Sequence, residues 1–338
     1  MGADRLIQFH RYEGFDREMH VHIHNELDQY DTPMDHAAWD AAGIAGHRVT
    51  IGSTPEEFLA QAETVKALIA PTRGMKKLDL FAAPKLRLLQ LTSAGVDSLQ
   101  PFDRIPPGVI IMNNRGVHGD KAGEYALMAI LMLVNAMPRL ATAQRRQHWR
   151  HELCGVARNH RLTVVGLGSL GGAAAMQASR LGMQVTGVSR SGAPHPHCAR
   201  TVTNAAFDAV LAETDILLLA CPLTPETSNL LSAERIKKLP VGAGVINIGR
   251  GRLMDEEALL DALEAETLGG AILDVFHTEP LPPGHRAWTT KNLIVTPHMS
   301  SDDPATYNTL TLQIFRKNLE ALAAGDKAPT AIDRTLGY

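Results

Sequence analysis

Short apolar, β-branched runs alternate with helix-like segments along most of the chain. A first series of runs lies at 20–24, 47–51, 65–70, 86–91 and 109–112, with helical patterns between most of them, as at 34–42 and 54–61. Continuous apolar strands separated by helices predict a parallel sheet covered on both faces. One long helical pattern then spans about 120–147, with apolar positions at Tyr125, Met128, Ala129, Met132 and Leu133. The alternation restarts at 162–165, 184–188, 216–220, 244–248, 271–275 and 293–295, and a final helix covers about 305–323. Two sheet series parted by a long helix predict an α/β chain of two doubly wound parallel-sheet domains. Because the final helix follows the completed second sheet, it is expected to return to the first domain. That domain is then discontinuous, 1–115 with 299–338, around an inserted domain at 116–298.

Composition narrows the function classes. The 338 residues carry a formal charge of -3 and no block of Lys or Arg, which argues against a nucleic-acid or anionic-membrane partner. A membrane span needs about 20 apolar residues; the longest run, 125–134, is shorter and leads into Arg139, Arg145 and Arg146. The opening Met1-Gly2-Ala3-Asp4-Arg5-Leu6 has no basic stretch followed by an apolar one, which argues against a signal peptide. Cys154, Cys198 and Cys221 form no CxxC pair, and an odd count does not suit a disulfide framework. A cytoplasmic protein is expected.

The strand at 162–165 opens directly into Gly166-Leu167-Gly168-Ser169-Leu170-Gly171, and a helical pattern follows. In that context G-x-G-x-x-G is a dinucleotide fingerprint and marks the inserted domain as Rossmann-like. Gly166 makes the tight turn, Gly168 lets the backbone approach a pyrophosphate, and Gly171 lets helix and strand pack closely. The N-H groups at the helix start, around Ser169 and Leu170, face the phosphates. An NAD enzyme usually carries Asp or Glu at the end of the next strand, on the ribose 2′-OH. Here Val188-Ser189-Arg190-Ser191 stands there instead. Without the carboxylate a 2′-phosphate is not repelled, and Arg190 can grip it bidentately. NADP is therefore expected over NAD, with NAD still possible; the plain alternative for Arg190 is a surface loop arginine.

Three further segments end predicted strands, where open α/β sheets place their active sites. They are 245–256 with Arg250 in N-x-x-R-G-x-x-x-D-E, 273–281 with Glu279 in D-V-F-x-x-E-P-L, and Thr296-Pro297-His298. Together with Pro222-Leu223-Thr224-Pro225-Glu226-Thr227, Ser93-Ala94-Gly95-Val96-Asp97 and Gly123-Glu124, they match in order and spacing one family. The chain resembles the D-isomer-specific 2-hydroxyacid dehydrogenases, which include glyoxylate/hydroxypyruvate reductases.

The resemblance implies a flavodoxin-like substrate domain around the Rossmann domain, and an oxidoreductase reducing a small 2-keto acid to the D-2-hydroxy acid. It assigns Arg250 to the substrate's carboxylate and carbonyl, His298 to acid/base chemistry, and Glu279 to favouring and orienting the imidazolium. Backbone N-H groups of Ala94 and Gly95 would hold the carboxylate from the other side. Cofactor contacts are implied at Cys221, Pro222 and Thr227, with Asp274 and the backbone near Ile248 on the nicotinamide side. The family also implies a two-fold dimer built on the long helix, in which Trp149 reaches the partner's substrate pocket; the alternative is that Trp149 packs within its own subunit.

Other readings stay open. A bulkier 2-keto acid is the nearest rival, and a dinucleotide-sensing corepressor-like binding protein a more distant one. Gly249 stands where the family often has a small side chain, so the backing of Arg250 is expected to be looser. Arg115 at the hinge is a candidate substrate contact. His20, His22 and His24 share one strand face, which suits either zinc or an outward-facing polar edge. His195, His197 and Cys198 form a weaker metal candidate, and no metal site is expected.

Overall fold

The computed structural model describes residues 18–26 and 33–338; the opening segment read for a signal peptide lies outside them. The chain forms two compact units: one runs to Val117 and resumes at Pro304, and the other is His118–Asp303.

The first unit is built on five parallel strands, β1 (His20–His24), β2 (Arg48–Gly52), β3 (Ala67–Ala70), β4 (Leu88–Leu91) and β5 (Ile110–Met112). Their order, β2-β1-β3-β4-β5, is the flavodoxin-like doubly wound order. One face of the sheet buries Phe58, Leu68, Leu89, Leu91 and Ile111; the other buries Trp39, Ile23, Ile69, Leu312 and Phe315. The last two residues sit on the closing helix, Tyr307–Ala323, which returns to this sheet as its late position in the chain requires.

The internal place of β1 overturns the reading of its histidines as an outward polar edge. His20, His22 and His24 are 6%, 1% and 1% exposed. The sheet has strands on both sides of β1, and Phe58 covers the His22 ring at 5.7 Å between centroids. Two of the rings bond to hydroxyls instead: His20 to Thr64 and Thr50, each at 2.8 Å, and His22 Nδ1 to Thr50 at 3.0 Å. Among the described residues no group of three or more His, Cys, Asp or Glu is placed to hold a metal ion.

The second unit has seven parallel strands: β6 (Arg161–Val165), β7 (Gln184–Ser189), β8 (Arg200–Thr203), β9 (Ile216–Leu219), β10 (Gly244–Asn247), β11 (Gly270–Leu273) and β12 (Leu293–Val295). The order β8-β7-β6-β9-β10-β11-β12 is that of a Rossmann sheet, and its reversal at β6 and β9 creates the crevice where such sheets bind ligands. Strand β8 is absent from the apolar runs because its four residues are Arg-Thr-Val-Thr, partly exposed at the sheet edge.

The predicted long helix is in fact two, Gly119–Val134 and Met137–Arg145, bent by 67°. The break has a local cause. Ala136 adopts a left-handed φ of 53°, and Pro138 has no N-H to continue the ladder. Among the described residues no single helix is long and apolar enough to cross a membrane.

Candidate active site

The glycine turn after β6 carries the geometry that a dinucleotide requires. Gly166 has φ +89°, and a Cβ there would lie 2.6 Å from Cys221 Cα. A Cβ on Gly171 would lie 1.8 Å from the Gly166 carbonyl, so the following helix, α6 (Ser169–Arg180), approaches its strand only because that residue is glycine. At Gly168 a Cβ would meet nothing within 4 Å: this flank is open. Gly168 is also the N-cap of α6 and brings no side chain to the cap, leaving the N-H groups of the first turn for a ligand. The residues fit a nicotinamide dinucleotide.

At the end of β7, Ser189 Oγ accepts from Gly192 N at 3.1 Å and Ser191 Oγ from Ala193 N at 3.2 Å, which shapes the loop around the exposed Arg190. No Asp or Glu occurs between Val188 and Ala199. After β9, Thr227 Oγ1 donates to the Pro222 carbonyl at 2.7 Å and accepts from Thr224 N at 2.8 Å, closing the Pro222–Thr227 turn beside the glycine loop. Burial pushes the Cys221 thiol up to about 12, so it behaves as a small apolar wall.

Past β10, Asn247 sets the turn that presents Arg250. Its Nδ2 donates to the Arg250 carbonyl at 2.9 Å and its Oδ1 accepts from Gly249 N at 3.1 Å. The backing of Arg250 is packed, not loose. The space a side chain would take at Gly249 is filled by Leu253, whose Cδ1 lies 2.7 Å from a Cβ there. Gly251 then lies against the backbone of the next segment; its Cβ would be 2.0 Å from Phe276 C. Glu256, 4% exposed, completes that junction by accepting from His277 N at 3.0 Å and meeting His285 Nε2 at 3.3 Å.

The junction delivers Glu279. Its Oε1 accepts from Phe276 N at 2.8 Å, and its Oε2 receives His298 Nδ1 at 2.6 Å. The bond from Glu279 raises the His298 pKa above the ordinary imidazole range, against burial and the charge of Arg250. For Glu279 burial alone pushes upward, but the bonds from His298 and Phe276 N and the nearby charges outweigh it, and its pKa is lowered. With Nδ1 committed to the carboxylate, Nε2 is the ring atom left to exchange a proton with a ligand.

His298 itself has φ +54°, a left-handed conformation that costs a non-glycine residue about 1 kcal/mol or more. Asp274, fully buried, holds it there. The Asp274 carbonyl accepts from His298 N at 2.8 Å, Oδ1 accepts from Met299 N at 2.9 Å, and Oδ2 from Ser300 N at 2.9 Å. Thr296 Oγ1 also donates to Oδ1 at 2.6 Å, and Tyr125 lies 2.6 Å from the same hydroxyl. The Thr296 hydroxyl has a single proton and spends it on Asp274, so Tyr125 donates to Thr296.

The structure therefore brings Arg250, Glu279, His298, Asp274, Ile248, Cys221 and the glycine turn into one unit, at the carboxyl ends of its strands. Ala94 and Gly95 belong to the other unit, in the loop after β4. There Asn113 Nδ2 donates to the Ala94 carbonyl at 2.7 Å and Ser93 Oγ to the Gly95 carbonyl at 3.2 Å. Arg115 is exposed. Trp149 is 94% exposed, which overturns packing within its own subunit. Arg139 and Arg150 both pair with Glu152 and tie down the chain beyond it, leaving the indole outside. Sequence reasoning passed over Asn247, Glu256, Thr296 and Tyr125. The first three stood inside quoted motifs; Tyr125 was one apolar position of a helix.

Comparison with known proteins agrees with this geometry. Residues 127–300 match the sequence profile of the D-isomer specific 2-hydroxyacid dehydrogenase NAD binding domain. The chain is 31% identical over 285 residues to hydroxyphenylpyruvate reductase of Plectranthus scutellarioides, covering 82% of this chain and 88% of that one. Among solved structures it is similar to a D-isomer specific 2-hydroxyacid dehydrogenase of Xanthobacter autotrophicus Py2 in complex with NADPH and MES. That likeness has a TM-score of 0.81 at 30% identity, over 95% of this chain and 99% of that one. The NADPH-dependent glyoxylate/hydroxypyruvate reductase of Sinorhizobium meliloti, in complex with NADP and sulfate, follows at 0.79 and 26%, over 95% and 100%. The chain belongs to the D-isomer specific 2-hydroxyacid dehydrogenase family and is an NAD(P)-dependent oxidoreductase.

Proposed function

We propose that the protein reduces a small 2-keto acid of the glyoxylate or hydroxypyruvate kind to the D-2-hydroxy acid, with NADPH as the preferred donor. The observation that carries this reading is the His298–Glu279 bond of 2.6 Å beside Arg250. When bound, the nicotinamide supplies a hydride to the carbonyl carbon. His298 gives its Nε2 proton to the carbonyl oxygen as negative charge develops there, and Glu279 keeps the ring charged and aimed until it does. Arg250 binds the carboxylate and carbonyl through its planar fork.

In this reading the dinucleotide is held by Gly166, Gly168, Ser169, Leu170 and Gly171, by Ser189, Arg190 and Ser191, and by Cys221, Pro222 and Thr227. Asp274 and the Ile248 backbone border its nicotinamide end. The NADPH preference is supported by the carboxylate-free loop around Arg190 and by the NADPH and NADP named for the two similar structures. Three unpaired thiols suit a reducing cytoplasm. We further place Trp149 in the substrate pocket of a second copy, in a two-fold dimer formed over Gly119–Val134, where Met128 is 44% exposed.

The deciding experiment is a steady-state panel of glyoxylate, hydroxypyruvate and an aryl 2-keto acid with NADPH and with NADH. The proposal expects the highest kcat/KM for a small acid with NADPH. A preference for the aryl acid, or equal use of both cofactors, sinks the corresponding half of it.

A further inference from the structure

The crossover from β7 to β8 is a loop of ten residues, 190–199, and one of its side chains lies against the first turn of α6. A Cβ on Gly172 would come 3.3 Å from His195 Nε2 and 3.8 Å from its Cε1, with the Leu167 carbonyl at 3.6 Å. Of the adjacent pair, Gly171 is demanded by the Gly166 carbonyl, whereas Gly172 makes room for an imidazole.

The orientation of that ring is set from behind. Nδ1 accepts from His197 N at 3.4 Å and faces Cys198 Sγ at 3.8 Å. Burial pushes the Cys198 thiol up to about 11, so its S-H remains and is a second donor to Nδ1. Burial, then the neighbouring His197, holds His195 below the ordinary imidazole range. A neutral ring with donors on Nδ1 carries its own proton on Nε2, the atom over the helix start. Cys198 is in turn wedged over β7, where a Cβ on Gly187 would meet its sulfur at 3.0 Å. The loop that leaves the end of β7, where the ribose 2′ position is read, thus brings an N-H donor to the anion-favouring start of α6.

We propose that His195 is a specificity-determining residue of the dinucleotide site, donating from Nε2 to the 2′-phosphate of NADP(H) alongside Arg190. This rests on the NADPH preference proposed above.

The test is binding of 2′,5′-ADP and 5′-AMP to the full chain by calorimetry. His195→Ala is expected to weaken 2′,5′-ADP about tenfold, the range for one lost hydrogen bond, and to leave 5′-AMP unchanged. Gly172→Ala, which crowds the ring without harming the helix, should reproduce that loss. Unchanged 2′,5′-ADP affinity in His195→Ala, or equal weakening of both nucleotides, overturns the proposal. If Arg190→Ala weakens 2′,5′-ADP while His195→Ala does not, the NADPH reading stands and His195 alone is rejected. If the unaltered protein does not distinguish the two nucleotides, both fall.

Discussion

Histidines at the strands of the two units have been driven in opposite directions. On β1 three imidazoles are buried, His20 and His22 of them against Thr50, Thr64 and Phe58, and burial lowers the pKa of each, that of His22 to about 4. After β12, His298 keeps a side chain 44% exposed and meets a carboxylate, and its pKa is raised. Nearness to an acid is not the whole difference, because His24 Nε2 has Glu26 at 3.8 Å and is still lowered. The Glu279 bond is 2.6 Å and directed at Nδ1, and that geometry outweighs the loss of water. The first set is held toward the neutral form; the second is held toward the charged form, with Nδ1 bonded to the carboxylate and Nε2 open.

The comparison breaks most sharply on activity. His298→Ala is expected to lower kcat about 10²-fold or more with little change in thermal unfolding, whereas His22→Val should leave kcat within about twofold. Steady-state reduction of a 2-keto acid by the two variants checks this, and comparable losses in both would erase the division.

Stability against pH should separate the same residues next. His22 has a folded pKa of about 4 against an ordinary 6.5. Between those values the unfolded chain binds more protons, so stability rises with pH through the window and is lost as pH falls from 6.5 toward 4. The loss is about 2 kcal/mol by pH 5. His22→Val should flatten that acid limb in unfolding midpoints taken across pH. His298 acts with the other sign: its raised pKa gives stability present below about 6.5 and lost as pH rises through its folded value. An acid limb that His22→Val leaves in place would show that these buried rings do not govern it.

How much of this was legible in the chain depended on how local the cause was. The glycine turn, Arg250, Glu279 and His298 stand in linear motifs, and each motif ends a strand, so order and spacing were enough to place them together. The β1 histidines misled because alternation along a strand reports a face without saying whether that face is covered; Phe58 and the neighbouring strands cover it. The break at Ala136 was missed because apolar periodicity continues through it on both sides, while the left-handed residue is an ordinary alanine. Strand β8 lacked an apolar run because it lies at the edge. Glu256, Thr296 and Tyr125 act through partners 21, 22 and 171 residues away, separations that no local pattern encodes.

A finer test concerns the direction of the His298 shift. Glu279→Gln removes the anion that favours the imidazolium, so the His298 pKa should fall and fewer rings carry the donated proton at a given pH. The alkaline limb of kcat/KM for reduction therefore moves to lower pH. His298→Ala would abolish the limb, but the Gln variant should displace it while retaining measurable turnover. A limb that stays in place removes Glu279 from proton delivery and leaves it as a packing residue.

The smallest expected effect lies farthest from the reacting atoms. Hydroxyls serve both histidine sets: Thr50 bonds directly to the rings of His20 and His22, whereas Thr296 supports His298 only through Asp274. Tyr125 donates to Thr296 from within Gly119–Val134, and burial pushes its phenol up to about 12, so it remains a donor at every working pH. Tyr125→Phe removes one neutral hydrogen bond, worth about 1 kcal/mol of stability. It leaves Asp274 its bonds to Thr296, Met299 and Ser300. The left-handed backbone at His298 then has one support fewer, so kcat should fall a fewfold while KM for the keto acid stays constant. Because the Glu279 bond is untouched, the pH profile should not move, and that separates Tyr125→Phe from Glu279→Gln. A shifted profile in Tyr125→Phe would mean that the chain through Thr296 and Asp274 tunes the charge of His298 as well as its position.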